Sequence, residues 1–378
     1  MNFDYFDSAA TTRVDEDVLR VTKRYLTDCF YNPSANYRPS ADLHTEISEV
    51  RARMLSLLKG YDGNLYFLSS GTEGDNQAIF CSKKRRNSNV VISAAEHPAV
   101  HNAALALKNN GYDVRVCPVD DAGRADHAAF SALVDQNTSF VSVMHVNNET
   151  GAVNDIASLV RIVRKNAPSA LFHSDGVQAL GKVPVHLAEL GVDLYTVSGH
   201  KIGAPKGIAA LYARKGVSLA PLLYGGGQEN GVRSSTENVA GIMSFAFAAD
   251  RAITELEENT GKYRSFIEIL RERLADIEDV KVISDDRCSP HIFTLAFRNV
   301  RGEVLQHALE EDGFLVGTGS ACSARRAHDR IPRALGLGEY SDGVLRISFG
   351  RENTREQVLR LADAILKNYD VLKKYVGK

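Results

Sequence analysis

TSFVSVMHVNNETGAVNDIASLVRIVRKNAPSALFHSD, residues 138–175, is the stretch whose reading decides the fold. It opens on an apolar, β-rich run and closes on a second one. Between them Ile156, Leu159, Val160 and Val163 fall at i, i+3, i+4 and i+7, which places four apolar side chains on one helix face. Strand, helix, strand in that order calls for a right-handed crossover between parallel strands. The rhythm continues in both directions. NLYFLSS (64–70), NVVISAAE (89–96) and YDVRVCPVD (112–120) each lead into a helical stretch, and DLYTVSGHK (193–201) and GIAALYARK (207–215) add two more strands. GIAALYARK follows its predecessor too closely for a helical crossover, so it predicts one antiparallel neighbour. The expected architecture is α/β, a mostly parallel mixed sheet sandwiched by helices.

Past the glycine-rich LLYGGGQENGVRSSTEN (222–238) the pattern changes. Residues 241–278 read as one long helical segment with Tyr263, Phe266, Ile267, Leu270, Leu274 and Ile277 on one face. Shorter elements follow: KVIS (281–284), HIFTLAF (291–297), GEVLQHALEED (302–312), FLVG (314–317) and GVLRISFG (343–350). Thr354 with Gln357 three residues on predicts a capping box and a closing helix. A smaller α+β domain is therefore expected. The partition predicted is 15–250 for the large domain, with 1–14 and 251–378 forming the small one.

Composition narrows the function classes. The chain has 378 residues, 44% of them hydrophobic, enough for a sizeable core, and 45 Lys+Arg against 47 Asp+Glu give a formal net charge of -2. Without a basic excess there is no support for direct nucleic-acid binding. No stretch free of Asp, Glu, Lys and Arg exceeds 13 residues, short of the roughly 20 a membrane span needs, so no membrane partner is expected. The opening MNFDYFDSAATTRVDED is acidic and lacks an apolar run, so a secretion signal is not expected either. Five cysteines without a CxxC argue against a disulfide framework and a zinc ribbon, and favour a reducing, cytoplasmic setting.

In doubly wound sheets ligands sit beyond the carboxyl ends of the strands, so the polar residues that end the apolar runs are the ones to read. These are Ser69-Ser70-Gly71-Thr72, Glu96-His97, Asn147-Asn148-Glu149, His173-Ser174-Asp175 and Ser198-Gly199-His200-Lys201. Lys201, placed where a strand gives out, suits a Schiff base with an aldehyde cofactor. Asp175 closes the preceding strand and could pair with a pyridinium nitrogen. Together they are what pyridoxal phosphate chemistry asks of a protein. Either residue alone has a plainer reading, since most lysines are solvated and an aspartate after a strand is often a helix cap. Gly71 and Thr72, before a helix expected to begin near Glu73, could hold a phosphate on backbone N–H groups. No GxxxxGK[ST] motif is present, and no GxGxxG follows the first strand. His97 and His101 are four apart, but without HExxH or a third ligand at matching spacing no metal is expected. His97 is better read as a group over a planar ring. Among the cysteines, Cys81 and Cys117 read as core thiols, Cys29 as packed, and Cys288 as a thiol whose acidic neighbours raise its pKa. Cys322 stands apart in GTGSACSARRAHDR, a Gly/Ser-rich setting with Arg325 and Arg326 downstream that favours thiolate.

FDSAATT (6–12), FYNPSANY (30–37), SSGTEGDN (69–76), EHPAV (96–100), MHVNNETG (144–151), HSDGVQALGK (173–182), SGHKIGAPKG (198–207), GGGQENGVRSST (225–236), GSACSA (319–324) and LRISFGR (345–351) resemble, in order and spacing, the pyridoxal-phosphate-dependent cysteine desulfurases of the NifS/IscS type, within the fold-type I class V aminotransferases. The resemblance covers nearly the whole chain, with GSAC as its more decisive motif. It implies that Lys201 carries the cofactor, that Asp175 faces the pyridine nitrogen and that His97 stacks on the ring and assists proton transfer. It puts Asn148 and Gln178 near the ring hydroxyl, and Thr72, Ser198 and His200 on the phosphate, with Thr236 supplied by the other subunit of a homodimer. Arg346, with Asn32 nearby, would grip the carboxylate of L-cysteine, and Cys322 would take its sulfur for a sulfur-acceptor protein such as an iron–sulfur scaffold. Ser8 in place of the family's asparagine, Gly203 in place of an aromatic or histidine, and FYNPSANY for the family's FGNPSS-x-H depart from the pattern. A selenocysteine lyase, another class V aminotransferase, and a silent scaffold that kept the fold remain alternatives at this point.

Overall fold

The computed structural model describes residues 3–318 and 330–375. In chain order the elements are β1 (Asp4–Phe6), α1 (Glu16–Thr27), α2 (Arg38–Leu57), β2 (Gly63–Leu68), α3 (Gly71–Cys81), β3 (Asn89–Ser93), α4 (Pro98–Lys108) and β4 (Asp113–Cys117). Then come α5 (His127–Leu133), β5 (Thr138–Ser142), α6 (Ile156–Asn166), β6 (Leu171–Asp175), α7 (Leu187–Leu190), β7 (Leu194–Ser198) and β8 (Ala209–Arg214). The rest are α8 (Val239–Thr254), α9 (Leu256–Arg273), β9 (Val280–Val282), β10 (Ile292–Phe297), α10 (Gly302–Glu311), β11 (Phe314–Val316), α11 (Arg330–Ala334), β12 (Val344–Ser348) and α12 (Arg355–Leu372).

A seven-stranded sheet of order β2-β8-β7-β6-β5-β3-β4 forms the centre. Its β3–β4, β3–β5, β5–β6 and β6–β7 pairs are parallel. β8 runs antiparallel to both β7 and β2, as the short connection required. Alternate residues of each strand serve opposite layers: Val91 and Val141 join one core, Val90, Ile92 and Phe140 the other. The α6 stripe of Ile156, Leu159, Val160 and Val163 is buried against the first of these, each side chain contributing about 1.5–3 kcal/mol. The sheet is thus a middle layer covered on both faces, and its strand ends are the places left for polar chemistry.

A three-stranded antiparallel sheet, β12-β10-β9, carries a separate core with α9, α10 and α12. β1 pairs in parallel with β11, so the N-terminal residues join this second unit, and α12 opens on the expected Thr354–Gln357 capping box. The expected single helix over 241–278 is instead two helices meeting at Glu255. α8 buries Val239–Ala249 positions in the large core, whereas α9 buries Tyr263, Phe266 and Leu270 in the small one. One straight cylinder cannot face both, so the chain turns at Glu255; Leu274 and Ile277 stay buried beyond the end of α9. Among the described residues no helix is long and apolar enough to cross a membrane.

Candidate active site

The carboxyl ends of β2, β6 and β7 open on one cavity of about 280 Å3, closed from the small unit by Arg346 on β12. Asp175 is the last residue of β6, and Ser198 the last of β7, followed by a tight turn that carries His200 and Lys201. All four line the cavity with Gly71, Thr72, Asp75, His97, Asn148 and Gln178. Lys201 Nζ donates to the carbonyls of Ala9 and Ala10 at 2.6 and 2.7 Å, and Gln178 Nε2 donates to the Ala9 carbonyl at 2.8 Å. The N-terminal segment therefore holds the Lys201 amine by its backbone.

At the other end of the cavity, α3 begins at Gly71, two residues earlier than the sequence suggested. The reason is a pair of side chains: Ser70 Oγ accepts from Glu73 N–H, and Glu73 reaches back to accept from Ser69 N–H at 2.7 Å. Arg233 anchors Glu73 at 2.9 Å; burial pushes the Glu73 carboxyl up, but the bonds from Arg233 and Ser69 outweigh it and hold it below its usual range. Gly71 is needed there, because a Cβ would lie 2.8 Å from Val177 Cγ2. First-turn N–H groups lack intrahelical partners and face an anion favourably. Beside them Ser198 Oγ is buried with no hydrogen-bond partner among the described residues, which is costly unless a bound group supplies one.

Electrostatics sort the remaining groups. Asp175 is buried and accepts from Val177 N–H at 2.9 Å. Burial pushes its carboxyl up, while His97, that N–H and Lys201 oppose the shift. A cationic ring nitrogen is the partner such a carboxylate lacks. His97 caps α4, its Nδ1 accepting from Ala99 N–H at 3.2 Å; burial lowers its pKa, and Asp175 resists that. Burial and the neighbouring Lys201 lower His200 to about 4. Arg346 is 2% exposed; its Nη1 donates to the Asn148 carbonyl at 2.8 Å and its Nη2 to Asp7 at 2.6 Å, while Nε is buried without a partner among the described residues.

Not every expected residue arrives. Thr236 is exposed and away from the cavity within this chain. Asn32 is also exposed and turned inward on its own loop, its Oδ1 accepting from Ser34 N–H at 2.9 Å. Cys322 lies outside the described residues. Cys81 and Cys117 are buried, and Cys288 is raised to about 12, by burial first and then by Asp285. Sequence reading passed over Asp7, the partner of Arg346, and Asp75. Asp75 lies one helical turn after Gly71, a spacing that could have revealed it. Its carboxyl is pushed well up by burial and by Asp175, and its Oδ1, 3.6 Å from His173 Nε2, accepts no hydrogen bond among the described residues. Ligand atoms of Asp75, His97 and Asp175 lie within 4.8 Å of one another, so His97 keeps company with two carboxylates rather than with His101. An amine, a buried carboxylate, an imidazole and an anion cradle in one cavity fit a planar aldehyde cofactor with a phosphate tail.

Comparison with known proteins agrees. The aminotransferase class-V family model matches residues 4–361. A cysteine desulfurase of Nostoc sp. is 36% identical over 371 residues, spanning 97% of this chain and 92% of that relative. Among solved structures, a NifS-like protein superposes with a TM-score of 0.90 at 32% identity, covering 98% of this chain and all of that one (100%). The protein SspA, solved in complex with cysteine, superposes with a TM-score of 0.78 at 26% identity, covering 91% and 98%. The chain belongs to the class-V aminotransferases, within their cysteine desulfurases of the NifS/IscS type, whose cofactor is pyridoxal phosphate.

Proposed function

We propose that this protein converts L-cysteine to L-alanine and retains the sulfur as a persulfide on Cys322 for delivery to an acceptor such as an iron–sulfur scaffold. The observation that most supports the reading is the meeting of Lys201, Asp175 and Arg346 around one cavity. Lys201 would hold pyridoxal phosphate, with Gly71, Thr72, Ser198 and His200 on its phosphate, Asn148 and Gln178 toward its hydroxyl, and His97 across its face. The cofactor, when bound, supplies an electron sink for the substrate's Cα–H bond. Asp175 holds a negative charge where that sink needs it. Arg346 orients the substrate carboxylate with a planar fork of donors. Lys201, once free, moves the Cα proton with help from His97. The Cys322 thiolate attacks the substrate sulfur. An S–S bond forms, the substrate C–S bond breaks, and its electron pair and a proton pass to the carbon that becomes alanine's methyl group. Atoms and electrons balance without an added oxidant.

In this reading the large unit spans 15–250, and 1–14 with 251–378 form the small one that carries Cys322. Two copies assemble as a homodimer, with Thr236 reaching the partner's cofactor phosphate. Tyr224, 84% exposed, and its apolar neighbours Leu222 and Leu223 lie in the same loop region and favour a covering partner. A reducing cytoplasm suits a working thiol. The test measures alanine and sulfide equivalents from L-cysteine, with selenocysteine and with added keto acids. Stoichiometric alanine and thiol-bound sulfur from cysteine support the proposal. Preference for selenocysteine, or amino transfer that depends on a keto acid, would replace it with one of the alternatives.

A further inference from the structure

A second cavity, of about 150 Å3, lies on the other side of the segment that holds Lys201. Ala9 and Ala10 face the first cavity, whereas Ser8 and Thr12 line the second. Residues 8–12 are thus the wall between the two. Two of the three places where this chain leaves the family pattern, Ser8 and Gly203, line this one space. Gly203 adopts φ +87°, and a Cβ there would collide with Asp15 Oδ2, which Arg251 already grips. An aromatic or histidine side chain at that position would be strained with this backbone.

The charges around the space are unevenly satisfied. Asp15 is paired with Arg251, and Arg351 donates twice to Glu255, at 2.7 and 3.0 Å. Lys182, partly buried, also lines the space; its backbone N–H donates to the Ala179 carbonyl at 3.0 Å, but its amine makes no hydrogen bond or ion pair among the described residues. Burial, and Arg351 nearby, pull its amine down to about 8. Two carboxylates share the lining, Glu352 and Asp15, the latter held by Arg251 and 3.5 Å from Arg351; among the described residues neither pairs with the Lys182 amine. The volume is well below the roughly 300–1,000 Å3 of pockets for drug-sized ligands, so the occupant is a group of a few heavy atoms.

We propose that this cavity is a binding site for a small oxyanion, a phosphate or a short carboxylate, with Lys182 as its charge partner. The site goes beyond the desulfurase reaction, and its binding is measured independently of turnover. Isothermal titration of the holoenzyme with inorganic phosphate, and separately with acetate, reads it directly. Saturable one-site binding of either anion, at least ~10-fold weaker in Lys182→Met, is the expected result, and the arm that binds names the source. Ser8→Asn, which adds bulk at the wall of this space, should weaken binding likewise. Cofactor content equal to that of the native protein shows that both variants are folded. No saturable heat from either anion, or an affinity unchanged in Lys182→Met, would overturn the proposal.

Discussion

Replacing Arg346 with methionine keeps an unbranched stem in β12 and removes the guanidinium. The structure gives that group three fates: Nη1 on the Asn148 carbonyl at 2.8 Å, Nη2 on Asp7 at 2.6 Å, and Nε buried with no partner among the described residues. A hydrogen bond to a charged group is worth roughly 1.5–3 kcal/mol net. A substrate carboxylate held by two such bonds gains roughly 3–6 kcal/mol, of which desolvation of the buried ions takes a share. A net loss of about 3 kcal/mol corresponds to a fall of roughly 150-fold in kcat/KM. Because the carboxylate does not change charge during the reaction, most of the loss should appear in KM. Asp7 also loses its partner, but its side chain is 16% exposed and keeps some contact with water, so the fold should survive. The assay is steady-state alanine release across a range of L-cysteine, with cofactor content checked by absorbance. Arg346→Lys, which keeps the charge but not the fork, should fall between the two. A kcat/KM within about threefold of the native value, or a loss confined to kcat, would refute this reasoning.

Cys322→Ala should abolish sulfur transfer while the cofactor stays bound; sustained turnover with free thiols excluded would contradict that. Asp175→Asn removes a buried carboxylate whose attraction to a close cation is about 4 kcal/mol at protein-like screening, so turnover should fall roughly a thousandfold with the cofactor still loaded. Gly71→Val adds bulk where even a Cβ would sit 2.8 Å from Val177; a cost of about 1–3 kcal/mol should appear as faster cofactor loss on dialysis. Glu96 gives the pH test. Burial raises its carboxyl from the usual 4.5 to about 8. A raised pKa means its contribution to stability is full below about pH 4.5 and is lost as pH rises through 8. Glu96→Gln should flatten that decline in the thermal midpoint, and equal slopes for the two proteins would count against it.

The sheet was legible because its signals are local. The α6 stripe, the strand runs and the short connection before β8 each follow from spacing alone. Lys201, Asp175 and His97 were legible because strand ends in this architecture share one side. The break at Glu255 was not, because it answers to two separate cores and carries no proline or glycine to mark it. Asp7 was missed because its meaning depends on Arg346, 339 residues away. The early start of α3 turned on Glu73 folding back on Ser69, a choice visible only once Arg233 is in place.

The central claim is that sulfur leaves the substrate for one thiol under the control of Lys201. Peptide mass spectrometry of the protein after exposure to L-cysteine tests it most directly. The peptide containing Cys322 should carry one additional sulfur atom, and the same peptide from Lys201→Ala should carry none. Alanine formation with Cys322 unmodified, or added sulfur on Cys29, Cys81, Cys117 or Cys288 instead, would contradict the account.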